Sequence, residues 1–406
     1  MIKMPFSYAD RLISSKNADE KYLLNEVHHL SVDGFPLLVH YDLRLLKKNW
    51  NKADLLTRPN TLWRYHEVLP IKEERNIVSL GEGSTPLVPL SRLGERFSIN
   101  LLMKDEGIIP TGSFKARGAS VGVSKAKELG VRNIVLPTNG NAGAAWALYS
   151  ARAGIHSYII MPVDAPKITR EEVEISGGNL YLVRGVISDA GKIAAQLISD
   201  YGFYDASTLK EPYRIEGKKT MIYEILEQLR WEVPDVILYP TGGGVGIIGI
   251  FKGLLELREL GWIKKIPRLV SVQAEGCAPI VGAWEKGQTE SRFWDHSKTI
   301  AFGINVPKAL GDFLVLDALY KTDGYALSVS DREITAAQRE VAEFEGSFIC
   351  PEGAAAFAAM KHLTKKKWIK EGETVVFLNT GLGIKYPESF VPQAPIIDLN
   401  EHLQIK

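Results

Sequence analysis

From about residue 100 onward the chain repeats one pattern: a short β-branched or apolar run, a turn rich in Gly, Pro, Ser or Asn, then an amphipathic stretch. Residues 134–136 lead through "PTNGNAG" into "AAWALYSARA", and residues 158–161 lead into "PVDAPKITREEVEI". Residues 236–239 lead through "PTGGGVG" into "IIGIFKGLLELRELG", and residues 375–378 end in "NTGLG". Period-two or continuous apolar runs followed by helical periodicity predict alternating strands and helices. Short polar turns between them predict an α/β fold with mainly parallel sheets covered on both faces. Function is then expected at the C-terminal ends of the strands.

The first hundred residues break the pattern. "YLLNEVHHLSVDGFPLLVHYDL" reads as a small β-element, "RLLKKNWNKADLL" as a charged helix and "TLWRYHEVLP" as a Trp-bearing connection. Residues 1–78 are therefore read as an extension packed on the body. One helix start is legible further on, where "SDRE" at residues 330–333 fits a capping box, hydroxyl first and carboxylate three residues later.

Composition narrows the range of partners. At 406 residues the chain exceeds the roughly 100–200 residues of one ordinary domain, so two lobes are expected. Hydrophobic residues make up 45% and charged residues 24%, with a formal net charge of +1. No global field draws nucleic acid or anionic membrane, and no apolar run approaches the ~20 residues of a membrane span. Only Cys277 and Cys350 are present, which suits a reducing compartment. The expectation is a cytoplasmic protein with small-molecule partners, no nucleic acid and no membrane.

Three strand-end loops can carry chemistry. "TGGGVG" brings Gly242, Gly243, Gly244, Val245 and Gly246 to the start of a helix, where converging N–H groups hold a phosphate. A plain tight turn is the alternative. Gly244, Gly246 and Gly249 also match the dinucleotide pattern G-x-G-x-x-G, and the next strand ends in Glu275, so a dinucleotide-dependent oxidoreductase is a competing reading. No lysine follows the glycines as a nucleotide-triphosphate loop requires. "TNGNAG" offers Thr138, Asn139, Gly140 and Asn141 to a carboxylate or phenolic oxygen, or is simply an Asn-Gly turn. "NTGLG" offers Thr380 to a ligand or as a turn cap.

Lys115, in "PTGSFKARG", opens a helix directly after Phe114. Most lysines at a helix start are solvated. A helix N-terminus disfavours a cation, however, and an apolar surround lowers an amine's pKa, which together keep the amine nucleophilic for an imine. A lysine imine plus a phosphate-holding glycine loop points to pyridoxal 5'-phosphate.

The motifs "PTGSFKARG", "TNGNAG", "TGGGVG" and "NTGLG", in this order, resemble those of the fold-type-II, tryptophan-synthase-β-like pyridoxal-phosphate enzymes. Within that superfamily "LWRYHEVLP", "VSLGEGSTPLVPL" and "EPYRIEGKKT" resemble the threonine synthases, the likeness running from about residue 20 to 390. The resemblance implies a two-lobed, three-layer fold. It divides the chain into the extension (1–78), a large cofactor-binding domain in two parts (79–112 and 185–392), a smaller domain with the asparagine loop (113–184) and a C-terminal tail (393–406). Lys115 would carry the cofactor and move protons, and Asn141 would face the cofactor's phenolic oxygen. Gly242, Gly243, Gly244, Val245 and Gly246 would hold its phosphate, and Thr380 would face the ring nitrogen. Thr138, Asn139 and Gly140 would take the substrate carboxylate. Arg214, with Lys104 as a further candidate, would take the phosphate of O-phospho-L-homoserine, an amino-acid phosphate, unless Arg214 pairs with Glu211 or Glu216 instead. A homodimer is expected.

Ala116 stands where the threonine synthase pattern often has Asp, and "SFKARG" also resembles the serine and threonine dehydratases, the alternative activity. The missing Cys-bearing element near the N-terminus leaves His28 and His29 without partners for zinc, so no metal is expected. The N-terminal extension and the short stretch after "NTGLG", which leaves no room for a regulatory domain, both favour the synthase.

Overall fold

A computed structural model describes residues 5–389 and a few isolated positions up to 399. The proposed tail, 393–406, falls largely outside the described residues. The extension contributes β1 (Ala9–Ser14), β2 (Lys21–Leu23), β3 (Leu37–Tyr41) and α1 (Leu43–Asn49). The body begins with β4 (Leu87–Pro89), α2 (Ser91–Phe97), β5 (Asn100–Asp105) and α3 (Lys115–Glu128). An alternating run follows: β6 (Asn133–Pro137), α4 (Asn141–Ala153), β7 (His156–Pro162), α5 (Lys167–Ile175), β8 (Asn179–Val183), α6 (Ile187–Tyr201) and β9 (Tyr204–Asp205). Then come α7 (Arg214–Gln228), β10 (Val236–Pro240), α8 (Val245–Glu259), β11 (Arg268–Ala274), α9 (Pro279–Trp284) and α10 (Asp312–Lys321). The body closes with β12 (Tyr325–Val329), α11 (Asp331–Glu345), α12 (Pro351–Lys365) and β13 (Thr374–Asn379).

The strands form three sheets. The largest has the order β12-β11-β10-β13-β5-β4 and is parallel except for the edge strand β4. The second, β8-β7-β6-β9, is parallel throughout. The third is the antiparallel β2-β1-β3 of the extension. This is the α/β architecture expected from the alternating pattern, and each expected strand is present. Ser330 caps α11 through a reciprocal box with Glu333.

Two details differ from expectation. The strand β1 lies upstream of the segment read as β, because its partners β2 and β3 flank a loop and need a central strand between them. The expected boundary at residue 184 falls inside the smaller unit rather than at its end. Helix α6 packs on β6 and β7, and β9 pairs with β6 through Ile134 and Tyr204, so this sheet is complete only near residue 205.

The extension is part of the core. Leu12, Leu37, Val39, Leu62 and Tyr65 are fully or almost fully buried in one cluster with Ile222, Leu226 and Leu254 of α7 and α8. Trp63 donates its indole N–H to Glu82 (3.0 Å) and Ser120 (3.2 Å), and Tyr41 donates to Glu216 of α7 (2.8 Å). An aromatic ring with a satisfied polar tip is stable at such a seam, because its body is apolar and its donor is paired.

Below the site lies a buried ionic knot. The Arg117 guanidinium, with no exposure, reaches both oxygens of Glu106 (2.6 and 2.7 Å), both oxygens of Glu224 (2.6 and 2.7 Å), and the hydroxyls of Thr220 and Thr85. Burial alone would raise the Glu224 carboxyl, but Arg117 and Lys104 outweigh it and hold it at about 2. Removing one member of such a knot strands the others in low dielectric, at a cost of about 3–5 kcal/mol. Arg117→Leu is therefore expected to lower the urea midpoint of unfolding markedly. Adding Glu106→Gln and Glu224→Gln should recover part of the loss, and a triple variant no better than Arg117→Leu would contradict this account.

Candidate active site

The starts of α3, α4, α7, α8 and α12 and the ends of β10 and β13 converge on the site, and hydrogen bonds between loops stitch them together. Phe114 N–H donates to the carbonyl of Thr380 (3.0 Å) and Leu382 N–H to that of Gly112 (2.9 Å), so the lysine loop and the "NTGLG" loop form one edge. Asn139 Nδ2 reaches the Asn305 carbonyl (3.3 Å), tying the asparagine loop to the segment 302–306. That segment passes the glycine loop: a Cβ on Gly242 would come within 2.8 Å of the Gly303 carbonyl. Gly303 N–H in turn donates to Glu352, in the first turn of α12 (2.7 Å).

Lys115 begins α3 as expected, with Nζ 4.3 Å from the Phe114 ring centroid and no carboxylate partner among the described residues. Burial, and next the Arg214 guanidinium, lower its amine to about 8, with Glu352 pulling the other way. An amine near neutrality in the resting protein is nucleophilic without an external base.

The glycine loop ends β10 and opens α8 at Val245, with Gly244 at φ +81°. Among the described residues, the N–H groups of Gly242, Gly243, Gly244, Val245 and Gly246 make no hydrogen bond, so they are free to converge on an anion. A Cβ on Gly246 would overlap the Tyr239 hydroxyl, so no other residue fits there. Gly249 serves a different purpose. Its missing side chain lets α7 approach α8, with Lys218 Cβ 3.0 Å from where a Cβ would sit. This packing role accounts for the third glycine of the dinucleotide pattern.

Asn141 opens α4 and donates from Nδ2 to the Tyr386 hydroxyl (3.0 Å), while its Oδ1 is buried without a partner. Gly140 N–H donates to Thr138 Oγ1 (3.2 Å), and Thr138 itself is buried. Thr380 Oγ1 lies 3.7 Å from the Cys350 thiol, which caps α12. Tyr386 stacks on Phe302 at 4.8 Å between ring centroids. The Glu352 carboxyl is pushed up by burial, and its Oε2 is buried without a partner. Sequence reasoning missed Tyr386, Phe302 and Glu352. Their partners lie far away along the chain, Tyr386 against Asn141 and Phe302, and Glu352 against Gly303.

Arg214 opens α7 and is buried. Its Nε lies 3.3 Å from Glu211, its Nη1 3.3 Å from Thr208, and its Nη2 donates to the Ala206 carbonyl. Glu211 also accepts the N–H groups of Tyr213 and Arg214, so it caps the helix as well as pairing with the guanidinium. Thr208 in turn touches the glycine loop, its Cγ2 3.2 Å from a Cβ built on Gly243.

Lys104 is a correction. It is fully buried beneath the site, and its ammonium donates to the Thr85 carbonyl (2.7 Å), Glu224 (2.9 Å) and Gln228 (2.9 Å). An ammonium has three donors, and all are spent. Lys104 belongs to the ionic knot and cannot reach a substrate. Ala116 is likewise fully buried, in the core of the smaller unit, so the position after the lysine contributes no group to a ligand.

Pyridoxal phosphate fits these residues. An unpaired amine, a cradle of free N–H groups, a half-satisfied buried amide and a hydroxyl at the C-terminal end of β13 match its aldehyde, phosphate, phenolic oxygen and ring nitrogen. Residues 78–381 match the model of the pyridoxal-phosphate dependent enzyme family, and the chain belongs to that family. Among solved structures it is similar to maize serine racemase, with a TM-score of 0.64 at 22% identity over 73% of this chain and 87% of that one. It is also similar to threonine deaminase isoform 2 of Solanum lycopersicum, with a TM-score of 0.64 at 21% identity over 83% and 90%. At such identities these structures establish the fold, the fold-type-II, tryptophan-synthase-β-like one. Within the family the chain belongs with the threonine synthases. It is 36% identical to that of Methanocaldococcus jannaschii over 91% of this chain and 92% of the relative. It is 36% identical to that of Methanosarcina acetivorans over 89% of each, and 32% identical to that of Mycobacterium tuberculosis over 84% and 92%. Among the described residues no helix is long and apolar enough to cross a membrane.

The amine at about 8 makes a pH prediction. As the pH falls below about 8, Lys115 in the apoprotein protonates, and its reaction with added pyridoxal phosphate should slow by about tenfold per unit. Arg214→Gln removes a repelling cation, raises the amine's pKa and moves this limb to higher pH. Glu352→Gln moves it lower. Stopped-flow absorbance would read both, and a limb that neither variant shifts would contradict the assignment.

Proposed function

We propose that the chain binds O-phospho-L-homoserine at this site and converts it, with water, to L-threonine and inorganic phosphate. The observation that carries the proposal is the close crossing of two helices that bear charged groups: a Cβ on Gly118, in the helix that Lys115 opens, would come within 3.1 Å of Arg214 Cβ, and the buried Arg214 guanidinium lowers the Lys115 amine. A reactive amine next to an anion-binding fork suits an amino acid that carries a phosphate.

Bound, pyridoxal phosphate supplies an aldehyde for amines and an electron-withdrawing ring. The remaining work falls to the protein. The free N–H groups of Gly242, Gly243, Gly244, Val245 and Gly246 hold the cofactor's phosphate, and Asn141 orients its phenolic oxygen. Thr380 presents a hydroxyl to the ring nitrogen; unlike a carboxylate it does not enforce a protonated ring, which favours elimination and replacement over racemisation. The start of α4, with Thr138, Asn139 and Gly140, takes the substrate carboxylate. The Lys115 amine would remove and return protons at the substrate's Cα and Cβ. Arg214 holds the phosphate as the Cγ–O bond breaks, and the leaving oxygen keeps the electron pair. A proton then adds at Cγ, and water adds its hydroxyl at Cβ.

Ala116 is buried and does not point to a dehydratase. The homodimer and the cytoplasmic location belong to the same proposal. The dimer rests on the family resemblance and the location on the two free cysteines, Cys277 and Cys350, which suit a reducing compartment; sedimentation at twice the chain mass would support the dimer. The purified holoprotein should release phosphate from O-phosphohomoserine and form threonine in equal amounts. Lys115→Ala should lose activity by about a thousandfold or more while still folding. Formation of 2-oxobutanoate from threonine, with no phosphate released from O-phosphohomoserine, would sink the proposal in favour of a dehydratase.

A further inference from the structure

The buried lysines of this protein are nearly all neutralised. Lys104 pairs with Glu224, Lys125 with Glu128, Lys219 with Glu216 and Glu256, and Lys385 with Glu172. Lys218 is different. It is 3% exposed, makes no ion pair among the described residues, and donates from Nζ to the carbonyl of Phe114. Its Nζ lies 4.2 Å from the Phe114 ring centroid, and Lys115 Nζ lies 4.3 Å from the same ring.

Lys218 sits one turn after Arg214 on α7, and the two side chains share a face. A Cβ on Gly118 of α3 would come within 2.9 Å of Lys218 Cε and 3.1 Å of Arg214 Cβ. The carboxylates that could neutralise this face are already engaged. Glu106 is held by Arg117 and Thr85, and Glu211 by Arg214 and two backbone N–H groups. Lys115, Arg214 and Lys218 therefore gather around one desolvated spot, opposed by Glu352 at Lys115, by Glu211 and Asp205 at Arg214 and by the already paired Glu106 at Lys218. Burial, then Lys115 and Arg214, depress the Lys218 amine strongly. An uncompensated buried amine is costly as a cation, and an arriving dianion reverses that balance.

We propose that Lys218 is a second cationic ligand of the substrate's phosphate, acting beside Arg214. The inference rests on the phosphate-ester reading given above. The carbonyl of Phe114 occupies one of the three donors of its ammonium and leaves the others for phosphate oxygens. The cofactor's phosphate has its own cradle of free N–H groups at the start of α8. The Lys218 stem leaves α7 beside Gly249 of α8 and runs to the Phe114 carbonyl, next to Lys115.

The test compares the wild-type holoenzyme with Lys218→Met and Lys218→Arg. Binding of inorganic phosphate is measured by calorimetry, KM for O-phosphohomoserine by phosphate release, and cofactor retention by absorbance after dialysis. Lys218→Met should weaken phosphate binding and raise KM by about ten- to a hundredfold, as expected for losing a charged hydrogen bond. Lys218→Arg should recover most of the loss, and all three proteins should retain cofactor equally. Unchanged phosphate binding in Lys218→Met overturns the inference. So does a wild-type enzyme that binds no phosphate. Loss of cofactor with unchanged phosphate binding also overturns it, and assigns Lys218 to the cofactor instead. A wild type that binds phosphate in a Lys218-dependent way yet releases none from O-phosphohomoserine refutes the threonine synthase reading and leaves the anion site standing. If Lys218→Met does not fold, Lys218→Gln, which keeps a donor for the Phe114 carbonyl, carries the same comparison.

Discussion

The structure depends on the buried guanidinium of Arg117. It lies two residues beyond Lys115 on α3 and is gripped by Glu106, just past the end of β5, and by Glu224 of α7. A buried ion pair repays its desolvation only when the remaining donors and acceptors are also satisfied, and here the two threonine hydroxyls complete the set. An apolar substitute of the same volume could fill the space equally well, but it would not set the angle between α3 and α7. That angle matters because α3 carries Lys115 and α7 carries Arg214 and Lys218, the side chains proposed to hold the cofactor and the substrate's phosphate. A site must be held to fractions of an ångström by what lies beneath it, and a planar fork locked at both ends supplies that rigidity.

The same requirement explains why the extension is built into the core. Helix α7 is buried along most of its length although its sequence, "RIEGKKTMIYEILEQ", is rich in charge. Each charge on its outer side is met by another element. Lys219 lies between Glu216 and Glu256, and Lys252 bridges the same two carboxylates. The extension then closes this network. Tyr41 donates to Glu216, Tyr65 donates to Glu227, and Arg64 pairs with Glu227 at 2.8 Å. Without the extension, the back of α7 would face water with its charges half paired. Charges that depend on one another in this way make α7 a poor candidate for independent motion.

The sequence showed the strands, the order of the loops and the helix start that Lys115 opens, because each of these is a local signal. A strand is an apolar run, a phosphate cradle is a cluster of glycines, and Lys115 stands out by sitting at a helix start beside a phenylalanine. What it concealed depends on contacts distant in sequence. A lysine such as Lys104 reads as solvated or ligand-facing, since charged residues are rarely buried, and only the fold shows that Glu224, 120 positions away, neutralises it. Lys218 was hidden for the opposite reason. Its significance is that it has no carboxylate partner among the described residues, and no sequence displays an absence. The boundary of the smaller unit was misplaced because β9 is only two residues long and joins its sheet by pairing with β6, far back along the chain.

Close approach of helices supplies the last constraint. A Cβ at Gly217, in the first turn of α7, would overlap the carbonyl of Arg117, and one at Gly118 would press on the stem of Lys218. These two glycines let α3 and α7 cross at backbone contact, which brings Lys115 on one helix and Arg214 and Lys218 on the other to the same desolvated spot. The helices must touch there because a substrate that joins an amine to a phosphate through a few carbons needs both groups recognised within a few ångströms. Side chains long enough to reach across a wider gap would be flexible, and would lose in conformational entropy what they gained in reach. The α3–α7 contact and the ionic knot are therefore two parts of one device. The glycines set how near the helices come, and Arg117 sets the angle at which they meet.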